Sequence, residues 1–146
     1  MRVVIIEDEN PAVVKLENLL KDYDRNIVVV AKLTSVKESI EWISENPDDV
    51  DLYFMDIRLT DGLSFDIFEK VKINKPIIFI TAYNEYAIQA FKVNSIDYLL
   101  KPLSYKELYR SLEKLKSLRD NLPSTENIPY NELGRMLMNM QKKYKA

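Results

Sequence analysis

A chain of 146 residues with 47% hydrophobic content has room for one ordinary domain and a short appendage, and its formal charge of −2 leaves no overall basic field to hold nucleic acid. Cysteine and histidine are both absent, which excludes disulfides, thiol chemistry, imidazole bases, imidazole metal ligands and a phosphohistidine of the chain's own. No apolar stretch approaches the roughly 20 residues that span a bilayer, and Met1-Arg2-Val3-Val4-Ile5-Ile6-Glu7 turns acidic too soon for a signal peptide, so a cytoplasmic protein without a membrane partner is expected.

Residues 1–120 alternate short β-rich runs with helical patterns, the sign of an α/β fold whose parallel sheet is covered by helices on both faces. The first strand is predicted near 2–6, where Val3-Val4-Ile5-Ile6 is apolar on both sides and therefore central. Asn10-Pro11 offers a cap and a first-turn proline for a helix reaching about Asp22. A second strand follows near 27–32. Ser35 and Glu38 stand at capping-box spacing and open a helix over 36–45 that stops ahead of Pro47. The third strand, near 51–55, runs into Asp56, and a helix is predicted over about 64–72. Ile77-Ile78-Phe79-Ile80 forms a second central strand, 77–81, closing on Thr81. Asn84 supplies a capping oxygen for a helix reaching about Val93, and a fifth strand near 96–99 precedes Lys101-Pro102. Ser104 and Glu107 repeat the capping box, and Leu108, Leu112, Leu115 and Leu118 make one buried stripe on a helix over 105–119.

The pattern breaks at Pro123-Ser124-Thr125-Glu126-Asn127, so 121–129 reads as a polar linker. Leu133, Met136, Leu137, Met140 and Tyr144 then recur at helical spacing, which predicts an amphipathic helix within 130–146 whose apolar face needs a partner. Gly134 weakens that helix by roughly 1 kcal/mol relative to alanine.

Each chemically interesting residue directly follows a strand, so a parallel sheet would gather them at its carboxyl edge, where open α/β folds bind ligands. Carboxylates packed together repel unless a cation joins them, and a set of oxygen donors without histidine or cysteine points to Mg²⁺. Asp8 and Asp56 are the expected direct ligands, with Glu7 acting through water or orienting Asp8, and the backbone carbonyl of Arg58 completing the shell. Asp56 would be the phosphoryl nucleophile, Thr81 a hydroxyl donor and Lys101 a flexible point charge to phosphoryl oxygens. Singly, each has a plainer reading: solvated charges at a helix start, a turn-capping aspartate, a strand threonine, a surface lysine.

Taken together and in this order, Glu7, Asp8, Asp56, Thr81-Ala82, Tyr98 and Lys101-Pro102 resemble a response-regulator receiver domain over residues 1–120. The resemblance implies the flavodoxin-like, CheY-like sheet order 2-1-3-4-5 and a two-component phosphorelay in which Asp56 takes a phosphoryl group from a sensor histidine kinase. It also implies a cis Lys101-Pro102 bond, and a switch in which Thr81 moves toward the phosphoryl group and Tyr98 turns inward. That switch would repack the face of helix four, strand five and helix five, where a homodimer would form. Asp61-Gly62-Leu63-Ser64-Phe65, Thr81 to Ala87, Ala90-Phe91 and Ile96 to Pro102 look like receivers of the LytTR type. These continue into a DNA-binding domain, so the chain is expected to be the front part of a transcription regulator that meets DNA only through that further domain. Many receivers carry Met-Pro and a longer loop after the aspartate, whereas here Leu59-Thr60-Asp61-Gly62 follows Arg58 directly, and Arg58 and Tyr83 flank the expected phosphoryl position.

Two other readings share these residues. A stand-alone receiver would act by binding proteins. A haloacid-dehalogenase-type phosphatase would need a second aspartate two positions after Asp56, where Arg58 stands. The chain is therefore expected to be a phosphoacceptor and not an enzyme with turnover.

Overall fold

The computed structural model describes residues 1–46, 48–91, 93 and 95–120. Pro47, the linker at 121–129 and the amphipathic helix within 130–146 lie outside the described residues, while the helix expected over 36–45 does end at Glu45, ahead of that proline.

Five parallel strands form one sheet in the spatial order β2 (Val28–Leu33), β1 (Arg2–Ile6), β3 (Leu52–Met55), β6 (Ile77–Thr81) and β7 (Ser95–Leu100). This is the expected order 2-1-3-4-5, with β6 and β7 as the fourth and fifth strands of the sheet. The remaining pair, β4 (Arg58–Leu59) and β5 (Gly62–Leu63), is a small antiparallel hairpin outside the sheet. No such hairpin was expected, although Asp61-Gly62 between Leu59 and Leu63 is a turn signal.

Strand periodicity divides the core into two layers. Val3, Ile5, Leu52, Phe54, Ile78 and Ile80 pack with Val13, Leu16 and Leu20 of α1 (Asn10–Tyr23) and with Leu108, Leu112 and Leu115 of α5 (Tyr105–Asp120). The alternate residues Val4, Ile6, Tyr53, Met55, Ile77 and Phe79 face α2 (Val36–Glu45), α3 (Phe65–Lys70) and α4 (Ala87–Phe91). Fully burying one such aliphatic side chain stabilises the fold by roughly 1.5–3 kcal/mol, which is why these runs carry almost no polar residue.

Helix starts agree with the sequence where a serine does the capping. Ser35 Oγ accepts the Glu38 N–H at 3.0 Å and Ser104 Oγ the Glu107 N–H at 3.3 Å. The asparagines do not cap. Glu9 is the N-cap of α1, with Asn10 and Pro11 already in the first turn, since proline fits there without an N–H to satisfy. Tyr83, not Asn84, precedes a 3₁₀ turn over Asn84–Tyr86 that leads into α4, and the rings of Tyr83 and Tyr86 both lie against Arg58. Helices α3 and α4 are shorter than expected. The first ends where Val71 turns extended, and past the second the Val93 N–H closes a turn onto the Ala90 carbonyl at 3.2 Å.

Candidate functional site

Counting by two along three strands brings three charged side chains to one edge. Ile5, Phe54 and Leu99 belong to the layer under α1 and α5, and Glu7, Asp56 and Lys101 stand two residues beyond them, where the strands end. The Lys101 ammonium lies 2.6 Å from Glu7 Oε1, 2.9 Å from Asp56 Oδ2 and 3.3 Å from Glu9 Oε1. The other Asp56 oxygen, Oδ1, accepts the Ile57 N–H at 2.7 Å. Glu7 and Asp56 are each only 6% exposed, so one cation serves two nearly buried carboxylates.

Burial is the main reason the Glu7 carboxyl is pushed up to about 7, with Asp56 adding to the rise and Lys101 opposing it. For Lys101, burial works against the charge, but hydrogen bonds to Glu7 and Asp56 outweigh it and hold the ammonium above its ordinary range. The sequence placed Glu7, Asp56 and Lys101 at one edge, and Glu9, two residues after Glu7, joins them there from the start of α1.

Thr81 belongs to the opposite register, with Ile77 and Phe79, and its side chain is fully buried. Its hydroxyl oxygen accepts the Tyr83 N–H at 3.4 Å, and its carbonyl accepts the Lys101 N–H at 2.8 Å. Thr81 thus touches the charged cluster through the backbone of Lys101, and the Lys101-Pro102 bond that follows is cis.

Tyr98 packs its half-buried ring on Phe79, with centroids 6.4 Å apart, and its hydroxyl donates to the Tyr83 carbonyl. Burial raises that phenol to about 12. Arg58 closes the same corner from the other side. Its guanidinium carbon sits 4.0 Å from the centre of the Tyr83 ring, its Nη2 donates to the Tyr86 hydroxyl at 3.1 Å and pairs with Glu85 at 3.3 Å. Tyr86 and Glu85 as partners of Arg58 were not legible in the sequence, because nothing local distinguishes them from solvated residues.

A metal ion fits the cluster by the chemistry of its donors. Glu7, Asp8, Glu9 and Asp56 each place a carboxylate oxygen within 4.8 Å of the others. Two oxygens on opposite sides of one Mg²⁺ stand about 4 Å apart, and the donors are all hard oxygens, so a small contraction suffices. Beneath the cluster, a cavity of about 240 Å³ opens between α1 and the Lys101–Leu103 segment, walled by Ile5, Leu16, Phe54 and Ile80. Among the described residues, no helix is long and apolar enough to cross a membrane.

A family model described as the response regulator receiver domain matches residues 3–113. The sensory transduction protein LytT of Enterococcus faecalis is 38% identical over 117 residues, covering 78% of this chain and 47% of that protein. The transcriptional regulatory protein LytR of Staphylococcus aureus is 31% identical over 137 residues, covering 92% of this chain and 54% of that protein. The chain thus spans about half the length of these relatives. Among solved structures, the response regulatory domain of protein mrkE from Klebsiella pneumoniae superposes with a TM-score of 0.71 at 29% identity, covering 84% of this chain and 100% of that one.

Proposed function

The chain belongs to the response regulator receiver domain family, which is not in itself a catalytic family, and from that premise we propose that Asp56 is its phosphoacceptor. An Asp56 oxygen attacks the phosphorus of a phosphohistidine on a sensor kinase. The phosphorus–nitrogen bond breaks, the imidazole leaves with the electron pair, and Asp56 carries an acyl phosphate. The observation that carries this reading is the Lys101 ammonium 2.9 Å from Asp56, a cation already in place where negative charge accumulates.

Asp8, Asp56 and the Arg58 carbonyl would hold Mg²⁺, with Glu7 acting through water. Bound there, the ion supplies charge neutralisation at the phosphoryl oxygens. Lys101 shifts its hydrogen bonds from the carboxylates to the phosphoryl group, and Thr81 exchanges the Tyr83 N–H for a phosphoryl oxygen as partner. Moving Thr81 disturbs Tyr83, whose carbonyl holds the Tyr98 hydroxyl, so Tyr98 is the residue through which the change reaches α4, β7 and α5. Ile88 and Leu100, 54% and 42% exposed on that face, suit a homodimer contact in the phosphorylated form. By analogy with LytR, the whole protein would be a transcription regulator that meets DNA through a C-terminal domain outside this sequence.

Mass spectrometry after treatment with acetyl phosphate and Mg²⁺ tests the chemistry. One added phosphate on the wild-type chain and none on Asp56→Asn is the expected result. Repeated turnover of p-nitrophenyl phosphate would overturn it in favour of a phosphatase.

A further inference from the structure

The reaction at Asp56 needs the backbone after it held in place; Ile57 and Leu59 anchor it in the core, but its own hydrogen-bonded structure is slight. Arg58 pairs with Leu63 and Leu59 with Gly62 around a turn of Thr60 and Asp61, and a hairpin of two residue pairs is not stable alone in water. Its outer end is held by Asp61. One oxygen of that carboxylate accepts the Val36 N–H at 2.7 Å and the other the Lys37 N–H at 3.0 Å.

Those are the first two amides of α2. Ser35 takes the next two, the Glu38 N–H at its hydroxyl and the Ser39 N–H at its carbonyl. The Ser39 bond is the first of the helix itself, so three donors that the helix start leaves open are satisfied by side chains, two of them by a residue from beyond β3. The inner end of the hairpin is tied where the Ser64 N–H donates to the Ile57 carbonyl at 2.7 Å. Gly62, just past the turn, has φ +151°, and a Cβ there would come within 2.9 Å of Asp66 Oδ2, so this geometry is built around glycine.

We propose that Asp61 is a positioning residue of the phosphoacceptor site. By fastening the hairpin to the start of α2, it sets the place of Arg58, and with it the backbone carbonyl offered to Mg²⁺ two residues after Asp56. Without that anchor the outer turn of the hairpin is free to shift about its inner end, where Leu59 is buried, the Leu63 N–H donates to Asp66 at 3.2 Å and the Arg58 side chain contacts Tyr86 and Glu85. The inference rests on the metal site proposed above.

The test is an amide chemical-shift titration of the full chain with Mg²⁺. Asp61→Ala is expected to weaken Mg²⁺ binding about tenfold, the lower end for groups that orient metal ligands. Asp61→Asn keeps an oxygen for the Val36 N–H and should remain within about threefold of wild type. Ser35→Ala removes a cap from the same helix without touching the hairpin, so it should leave Mg²⁺ affinity unchanged while lowering thermal stability. At saturating Mg²⁺, acetyl phosphate should label Asp61→Ala at a rate within about twofold of wild type, because the defect lies in holding the ion. Wild-type Mg²⁺ affinity in Asp61→Ala overturns the inference, as does an equal loss in Ser35→Ala. Should Asp61→Ala fail to fold, Asp61→Glu keeps the carboxylate but displaces the hairpin; weakened Mg²⁺ binding is expected there, and wild-type affinity overturns the inference. A wild-type chain that binds no Mg²⁺ would instead sink the proposed metal site.

Discussion

The two faces of the sheet are covered by very different helices. On one side lie α1 and α5, of 14 and 16 residues, the second burying Leu108, Leu112 and Leu115. On the other, α2 has 10 residues, α3 has 6 and α4 has 5, and Ala90 is the one buried apolar side chain described on α4. The charged cluster of Glu7, Asp56 and Lys101 belongs by strand register to the long-helix side, while Thr81, Tyr98, Tyr83 and Arg58 belong to the short-helix side. Elements with few buried contacts open at low free energy, so a fold that keeps the Glu7, Asp56 and Lys101 cluster on the firm side and Thr81 with its aromatic neighbours on the loose side can change shape without unfolding.

The largest test of that contrast removes the cation from the firm side. Lys101→Ala should slow labelling by acetyl phosphate by about 100-fold, since it removes a preorganised charge, as followed by intact-mass time courses. A rate near wild type would mean that the cluster does not depend on its own cation. Next, Leu112→Ala should cost about 2–5 kcal/mol in urea unfolding, whereas Ile88→Ala on α4 should stay within about 0.5 kcal/mol. Amide exchange sharpens the same point: α4 should exchange at least about tenfold faster than α5.

A smaller effect comes from pH. The Glu7 carboxyl is raised in the folded chain to about 7 from an ordinary 4.5, chiefly by burial, so the folded form holds a proton that the unfolded form has lost. Its contribution to stability is full below pH 4.5 and fades as pH rises through about 7. In metal-free buffer, the melting temperature of wild type should therefore fall relative to that of Glu7→Gln across this window. Parallel curves would show that Glu7 titrates normally. The smallest change is expected for Arg58→Ala on the loose side, where the stack and the ion pair are exposed to solvent. Near-UV circular dichroism should still register the freed Tyr83 and Tyr86.

Particular residues show where local reading sufficed. Ser35 and Ser104 cap as their spacing to Glu38 and Glu107 foretold, because donor and acceptor lie three residues apart and the geometry is closed within one turn. Asn10 and Asn84 carry the same capping chemistry and do not use it, since Pro11 sets the start of α1 one residue earlier and Asn84 already lies inside a 3₁₀ turn that Tyr83 precedes. Asp61 had no role of its own in the sequence beyond its place in the Asp61-Gly62-Leu63-Ser64-Phe65 resemblance. Its partners are the amides of Val36 and Lys37, and no pattern within the hairpin announces them.

What the residue order determined alone was the set of apolar runs, their period and the polar residue that ends each one, because strand alternation and helix spacing are properties of neighbouring positions. From these follow the α/β layering and the presence of Asp56, Thr81 and Lys101 at one edge. Only the tertiary structure decided which carboxylates share the Lys101 ammonium, that Thr81 meets them through backbone, and that a two-pair hairpin is held by the start of a distant helix. Those choices depend on register between strands and on which side chains are denied water, and both arise only when segments far apart in the chain are packed against one another.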